Sequence, residues 1–178
     1  MVLFTSDLHL GHRAIAKYRP ELGISKENDD YWLNKMEQLG KRDILMVLGD
    51  FLFDGPHYDE YINRIRKMKC RIKLLMGNHD STLLYKEINQ KPQSPEGSIE
   101  IQLPFYSYKN FWLSHCPIHP SELRNRIGNI HGHLHNAVLE DDRYFDVCPE
   151  KNEFDFVDFE KIKKHFSIIE LQKGITND

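Results

Sequence analysis

Five short clusters in this chain combine residue types that bind metal ions: Asp7-Leu8-His9, Gly49-Asp50, Gly77-Asn78-His79-Asp80, His115 within Leu113-Ser114-His115-Cys116-Pro117, and Gly132-His133-Leu134-His135. Carboxylate, imidazole and amide oxygen together form a mixed oxygen and nitrogen donor set suited to Mn, Fe, Zn or Ni. The absence of a cysteine pair argues against a structural zinc, so the set reads as an open, redox-inert site. Asp7 with His9, and His133 with His135, are two residues apart; in a locally extended segment such residues point to the same side and present two ligands to one place. Glycines beside them allow close backbone approach.

Donors this far apart in sequence need elements that bring them together. Val2 to Thr5, Ile44 to Leu48 and Arg71 to Met76 are short apolar runs ending in Ser6-Asp7, Gly49-Asp50 and Gly77, as expected for strands buried on both faces. Between them Trp32, Leu33, Met36 and Leu39 share one helical face, and Tyr58, Tyr61, Ile62, Ile65 and Met68 share another. Ser25 and the acidic Glu27, Asp29 and Asp30 open the first helix, Gly40 follows it, and Pro56 opens the second. The first half therefore reads strand, helix, strand, helix, strand, an α/β pattern in which the carboxyl ends of adjacent strands converge on one crevice. Asn89 to Ser98, with Pro92, Pro95 and Gly97, reads as a surface loop. Short strands are expected at Ile99 to Leu103, Phe105 to Tyr108, Phe111 to Ser114 and near Tyr144 to Val147. A helix is expected near Asp158 to Phe166, a strand at Ile168 to Leu171, and fraying over residues 173–178.

Bulk properties narrow the function classes. The 178 residues, 40% of them hydrophobic, suit one globular domain spanning 1–178. Lys and Arg total 24 against 27 Asp and Glu, and the net charge of -3 gives no long-range attraction for duplex DNA or acidic membrane, so any nucleic-acid contact is local. Three widely spaced cysteines do not form a disulfide framework. The N-terminal MVLFTSDLHL lacks the features of a secretory signal and no apolar run approaches the length of a membrane span, so a cytoplasmic protein without membrane partners is expected.

D-x-H, G-D, G-N-H-D, a lone H and G-H-x-H, in this order, resemble the signature of the calcineurin-like metallophosphoesterases, and the resemblance runs from Val2 to about Phe166. It implies a four-layer α-β-β-α sandwich of two mixed sheets flanked by helices, as in small single-domain prokaryotic and phage-type members. It also implies two divalent ions, Mn foremost with Fe, Zn or Ni as alternatives: one held by Asp7, His9 and His135, the other by Asn78, His115 and His133, with Asp50 bridging. A carboxylate suits that bridge, having two charged oxygens to span ions about 3.5 to 4 Å apart. The implied reaction is attack of a metal-bound hydroxide on a phosphate ester, with His79 as the acid and Asp80 orienting its imidazole and raising its pKa.

His12 and Arg13 are substrate-contact candidates, and Arg13, Lys17 and Arg19 form a small basic group able to hold a phosphate or simply solvated. His131 alternates with His133 and His135 and either shares their face or, the favoured reading, is a hydrogen-bonded core residue; His57, His119 and His165 read as surface or structural residues, and Cys116 as a small buried hydrophobe. Phe51, Phe53, Tyr58 and Tyr61 after the bridging Asp either stack on a base or belong to the core. Phe51 to Asp54 and Met76 stand where the protein Ser/Thr phosphatase branch carries arginines, and 178 residues leave no room for the capping domain of the repair nucleases. The reading is thus a phosphodiesterase for a small diester: a cyclic nucleotide, a cyclic oligonucleotide or a nucleotide conjugate. A phosphomonoesterase or a nuclease for exposed ends is the alternative, and a catalytically silent protein-binding scaffold on the same fold a third, disfavoured because no ligand position is substituted.

Overall fold

The computed structural model describes residues 1–90 and 98–175. Its first half follows the expected alternation: β1 (Val2–Thr5), α1 (Ser25–Glu37), β2 (Ile44–Leu48), α2 (Tyr58–Arg66), β3 (Arg71–Leu75), then α3 (Thr82–Gln90) and β4 (Ser98–Ile101). The second half holds β5 (Phe105–Tyr108), β6 (Phe111–Ser114), β7 (Gly128–His131), β8 (Tyr144–Asp146), β9 (Val157–Asp158) and α4 (Phe159–Ile175). One sheet runs β4-β3-β2-β1-β9, parallel except for β9, and the other runs β5-β6-β7-β8, with β5 antiparallel to a parallel remainder. The expected two mixed sheets with flanking helices are present.

Strand periodicity explains the apolar runs of the first sheet. Leu3, Leu45, Val47 and Leu74 face a core shared with Trp32, Leu33 and Met36 of α1 and Tyr61, Ile62 and Ile65 of α2. Phe4, Met46, Leu48 and Leu75, one residue out of phase, face a second core with Phe111 and Leu113 of β6, Ile130 of β7 and Phe159, Ile162 and Phe166 of α4. Both faces of these strands are therefore buried, which alternating apolar and polar residues would not allow.

Several elements differ from expectation. The expected strand Ile168 to Leu171 is instead part of α4, which runs unbroken to Ile175. A four-residue apolar run does not distinguish strand from helix by itself, and Ser167 to Lys173 contains neither Gly nor Pro to stop the helix. α3, β7 and β9 carried no strong pattern in the sequence: α3 mixes polar residues through a single turn-and-a-half of apolar contact, and β9 is two residues long. The expected loop at Asn89 to Ser98 falls mainly on residues 91–97, which lie outside the described residues, as do 176–178 of the expected frayed tail. No helix among the described residues is long and apolar enough to cross a membrane.

Candidate metal centre

Every predicted donor lies just past a strand of one sheet or the other. Asp7 and His9 follow β1, Asp50 follows β2, Asn78 follows β3, His115 follows β6, and His133 and His135 follow β7. Beyond the ends of β1 and β2 the two chains stay paired, Asp7 N–H donating to Gly49 O at 2.8 Å and His9 N–H to Asp50 O at 2.9 Å. The backbone there is not extended, as the spacing argument supposed. Asp7, His9, Asp50, His133 and His135 have φ of 52°, 51°, 52°, 72° and 49°, in the left-handed region. For residues with a Cβ this costs about 1 kcal/mol or more at each position, and it turns successive side chains inward where an extended strand would run past the crevice.

The donor atoms fall into two overlapping groups. Asp7 Oδ1 lies 3.8 Å from His9 Nε2 and 3.6 Å from His135 Nε2, and those two nitrogens are 3.3 Å apart. His115 Nε2 lies 2.9 Å from Asn78 Oδ1 and 3.2 Å from His133 Nδ1. Asp50 Oδ2 stands between the groups, 3.8 Å from His9 Nε2 and 3.4 Å from His115 Nε2. Donors sharing one ion at bonds of about 2.0 to 2.2 Å are roughly 3 to 4 Å apart, so both groups have the spacing of a coordination sphere. Asp7 Oδ1 is fully buried and has no hydrogen-bond partner among the described residues. An ionised oxygen in that position is costly unless a cation meets it.

Surrounding groups fix the ring orientations. His115 Nδ1 donates to Leu48 O at 2.8 Å, leaving Nε2 to face the cluster. His135 Nδ1 donates to Glu150 Oε1 at 3.0 Å, and Glu150 in turn takes the guanidinium of the wholly buried Arg19 at 2.8 Å. Arg19 also donates to the carbonyls of Asp7, at 2.6 Å, and Leu8, at 3.3 Å, clamping the turn that carries the first donors. Close packing makes two glycines obligatory. A Cβ on Gly49, whose φ is +92°, would collide with the His115 ring, and one on Gly132 would collide with Ser6 Oγ and Asp7 Oδ2.

Electrostatics differ among the imidazoles. Burial holds His9 down to about 4 against the pull of Asp7 and Asp50, so its nitrogen lone pair is available at neutral pH. Burial also works against a charge on His115, but Asp50 and Asp7 prevail and raise its pKa above the ordinary value. The hydrogen bond to Glu150 does the same for His135, against burial. Burial resists the Glu150 charge, yet His135 and Arg19 bring its carboxyl down to about 2.

The match to the family model of the calcineurin-like phosphoesterases covers residues 1–172. The chain belongs to that family. Among relatives of this phosphoesterase-family chain, the Gene 66 protein of Mycobacterium phage D29 is 27% identical over 162 residues, covering 78% of this chain and 80% of the phage protein. A zinc-dependent endopolyphosphatase of Saccharomyces cerevisiae is 25% identical over 146 residues, covering 82% of this chain but only 38% of that enzyme. A protein of unknown function from Aquifex aeolicus shares the fold with a TM-score of 0.65 at 23% identity, over 92% of this chain and 98% of that one.

Other predicted residues of this phosphoesterase-family chain have mixed fates. A cleft of about 360 Å³ opens beside the first donor group, lined by His9, His12, Tyr18, Phe53, His79 and His135 among others. His12 is thus at the site, whereas Arg13 is exposed, absent from the lining, and uses its carbonyl to receive Ser25 Oγ at 2.9 Å. The His79 ring lies 5.7 Å from that of His9 and stacks on Phe53 at 5.5 Å. The Asp80 carboxylate accepts the N–H groups of Phe51 at 2.7 Å, Leu52 at 3.1 Å and Gly77 at 2.8 Å, tying the loops after β2 and β3 together, and makes no hydrogen bond to the His79 ring among the described residues. Phe51, Tyr58 and Tyr61 are core, and only Phe53 of that group reaches the rim. His131 is buried and hydrogen-bonded to Gly132 O at 2.8 Å, as expected. Arg19 is not part of a surface phosphate cradle, and Cys116 is exposed where a buried residue was expected. Glu150 and Tyr18 were missed. Glu150 follows β8 as the donors follow their strands, a positional signal available in the sequence; Tyr18 carried none.

Proposed function

We propose that this chain is a dinuclear-metal phosphodiesterase acting on a small, nucleotide-derived phosphodiester. The unpartnered Asp7 Oδ1 and the spacing of the donor groups fit two cations, one held by Asp7, His9 and His135 and the other by Asn78, His115 and His133, with Asp50 reaching both. Mn and Zn both suit the set. When bound, such ions supply Lewis acidity, charge neutralisation and a water whose pKa is lowered from 15.7 toward about 7.

The observation that carries the diester reading is the cleft's lining. It presents imidazole, phenyl and phenol groups and Ile15, with Asn136 and the carboxylate of Glu150, and among the described residues neither Lys nor Arg. A monoester dianion leaves its second charge to a guanidinium or ammonium. A diester has one charge less and a second organic arm, for which the Phe53 and Tyr18 rings provide stacking faces. His12 and His79 flank the path of that arm. His79 would pass a ring proton to the leaving oxygen, and the bond from its backbone N–H to Asp50 Oδ1, at 2.8 Å, keeps it beside the reacting atoms. Asp80 would act as a positioning residue, holding the His79 loop through backbone amides.

Turnover of bis-p-nitrophenyl phosphate against p-nitrophenyl phosphate, with Mn or Zn supplied, tests the reading: the diester should be preferred, and a strong monoester preference overturns it. In the same assay His79→Ala should slow diesters with poor leaving groups by about 10² to 10⁴ and those with good ones far less; an equal loss on all of them removes His79 as the acid.

A further inference from the structure

Beside the second donor group stands a thiol that none of the preceding roles uses. Cys116 follows His115 directly, and single ligand atoms of Cys116, His115 and His133 all lie within 4.8 Å of one another. Cys70 and Cys148 are buried, while Cys116 is exposed. His115 also belongs to a group with Asp7 and Asp50 whose ligand atoms lie within the same 4.8 Å limit. His115 is therefore shared by a carboxylate group and by a group that contains a soft donor.

We propose that Cys116 is a further ligand of the second metal position, its Sγ joining His115 and His133 and biasing that position toward zinc. This rests on the dinuclear reading above. A thiolate is a soft donor that selects zinc over the harder manganese, which prefers carboxylate, carbonyl and water. Bonds of about 2.3 Å from zinc to sulfur and about 2.0 to 2.1 Å to nitrogen bring the donors closer together than the 4.8 Å limit, a change that rotation of one exposed side chain supplies. Binding takes the ion from solution and releases the thiol proton to solvent, with no change of oxidation state. The group of Asp7, His9 and His135 contains no thiol among the described residues; Cys148 is buried and directed at Asp7 Oδ2, 3.3 Å away. The two positions therefore differ in softness, and a mixture of manganese and zinc should sort between them.

Cobalt(II) titration of the metal-free full chain reads this out without reference to activity. A thiolate-to-cobalt charge-transfer band should grow in the near ultraviolet with the second equivalent and vanish in Cys116→Ser. The same variant should lose roughly tenfold or more in zinc affinity at one of two positions and keep its manganese affinity. If two equivalents bind and diesters are hydrolysed with no band, or with a band that survives in Cys116→Ser, the role of Cys116 is refuted and the dinuclear reading stands. If fewer than two equivalents bind, both fall.

Discussion

At one end of the donor cluster Asp7, His9 and His135 lean on buried partners, whereas at the other Asn78 is exposed and His115 and His133 border an exposed thiol. The first end rests on a chain of interactions from His135 through Glu150 to Arg19 and back to the carbonyls of Asp7 and Leu8. The second rests mainly on backbone contacts: His115 Nδ1 donates to Leu48 O, the N–H of His133 to Asp7 Oδ2 and the N–H of Gly132 to His115 O. A buried ion pair behind a ligand fixes the orientation of its ring, as Glu150 and Arg19 do for His135. The cleft opens beside the locked end. On the proposed reading, substrate would meet the half held by the buried ion pair, and metal identity would be set at the other half.

Removing the carboxylate common to both ends should erase the contrast. Asp50→Asn is expected to abolish the pairing of ions and all turnover above background; two equivalents of metal still bound at wild-type affinity would dispose of Asp50 as the shared ligand. A sharper cut is Glu150→Gln, which keeps an acceptor for His135 but drops the charge. Metal affinity at the first end should fall by about 10- to 100-fold, with the second end unchanged; calorimetry showing equal losses at both would mean that the two ends are not independently supported.

The smallest effect concerns the loop after the first donors. Asp29 of α1 is buried and accepts the N–H of Gly11 at 3.1 Å and the hydroxyl of Tyr61 at 2.9 Å. Burial raises its pKa despite those hydrogen bonds. The folded protein therefore takes this proton more readily than the unfolded chain, so the contribution to stability is fullest at acid pH and is lost as pH rises from the ordinary carboxylate range through the raised value. Asp29→Asn, which keeps both acceptor contacts, should be within about 1 kcal/mol of wild type at pH 7 and compare less well at pH 4. Urea unfolding across that range measures it, and a gap that widens toward neutral pH would show that the charged form is the one the fold favours.

The same division governs what the sequence made legible. β1, β2 and β3 were readable because both of their faces are buried, which writes an uninterrupted apolar run into the chain. β7 and β9 were not, since Gly-Asn-Ile-His and Val-Asp show no such run and are strands only because a neighbour pairs with them. The donors were legible from their types and order, for coordination chemistry restricts those positions to few residues. Their backbone was not: nothing in Asp-Leu-His announces a left-handed turn, and the extended geometry inferred from spacing was wrong although the convergence inferred from it was right. Arg19 read as a surface cation because charge alone does not reveal burial, and its partner Glu150 lies 131 positions away. The resemblance placed Asp80 beside the His79 imidazole, while its oxygens are taken by amides of two separate loops.

The left-handed turns under Asp7, His9, Asp50, His133 and His135 narrow what evolution can write at these places twice over, once through coordination and again through handedness. Branched aliphatic side chains are penalised there even if ions are dispensed with, and Asn or Gly remain as the comfortable replacements. A descendant that abandoned hydrolysis would accordingly keep its outline and shed its charge, so inert copies of this architecture should be recognised by amides and glycines standing where acids and imidazoles once stood.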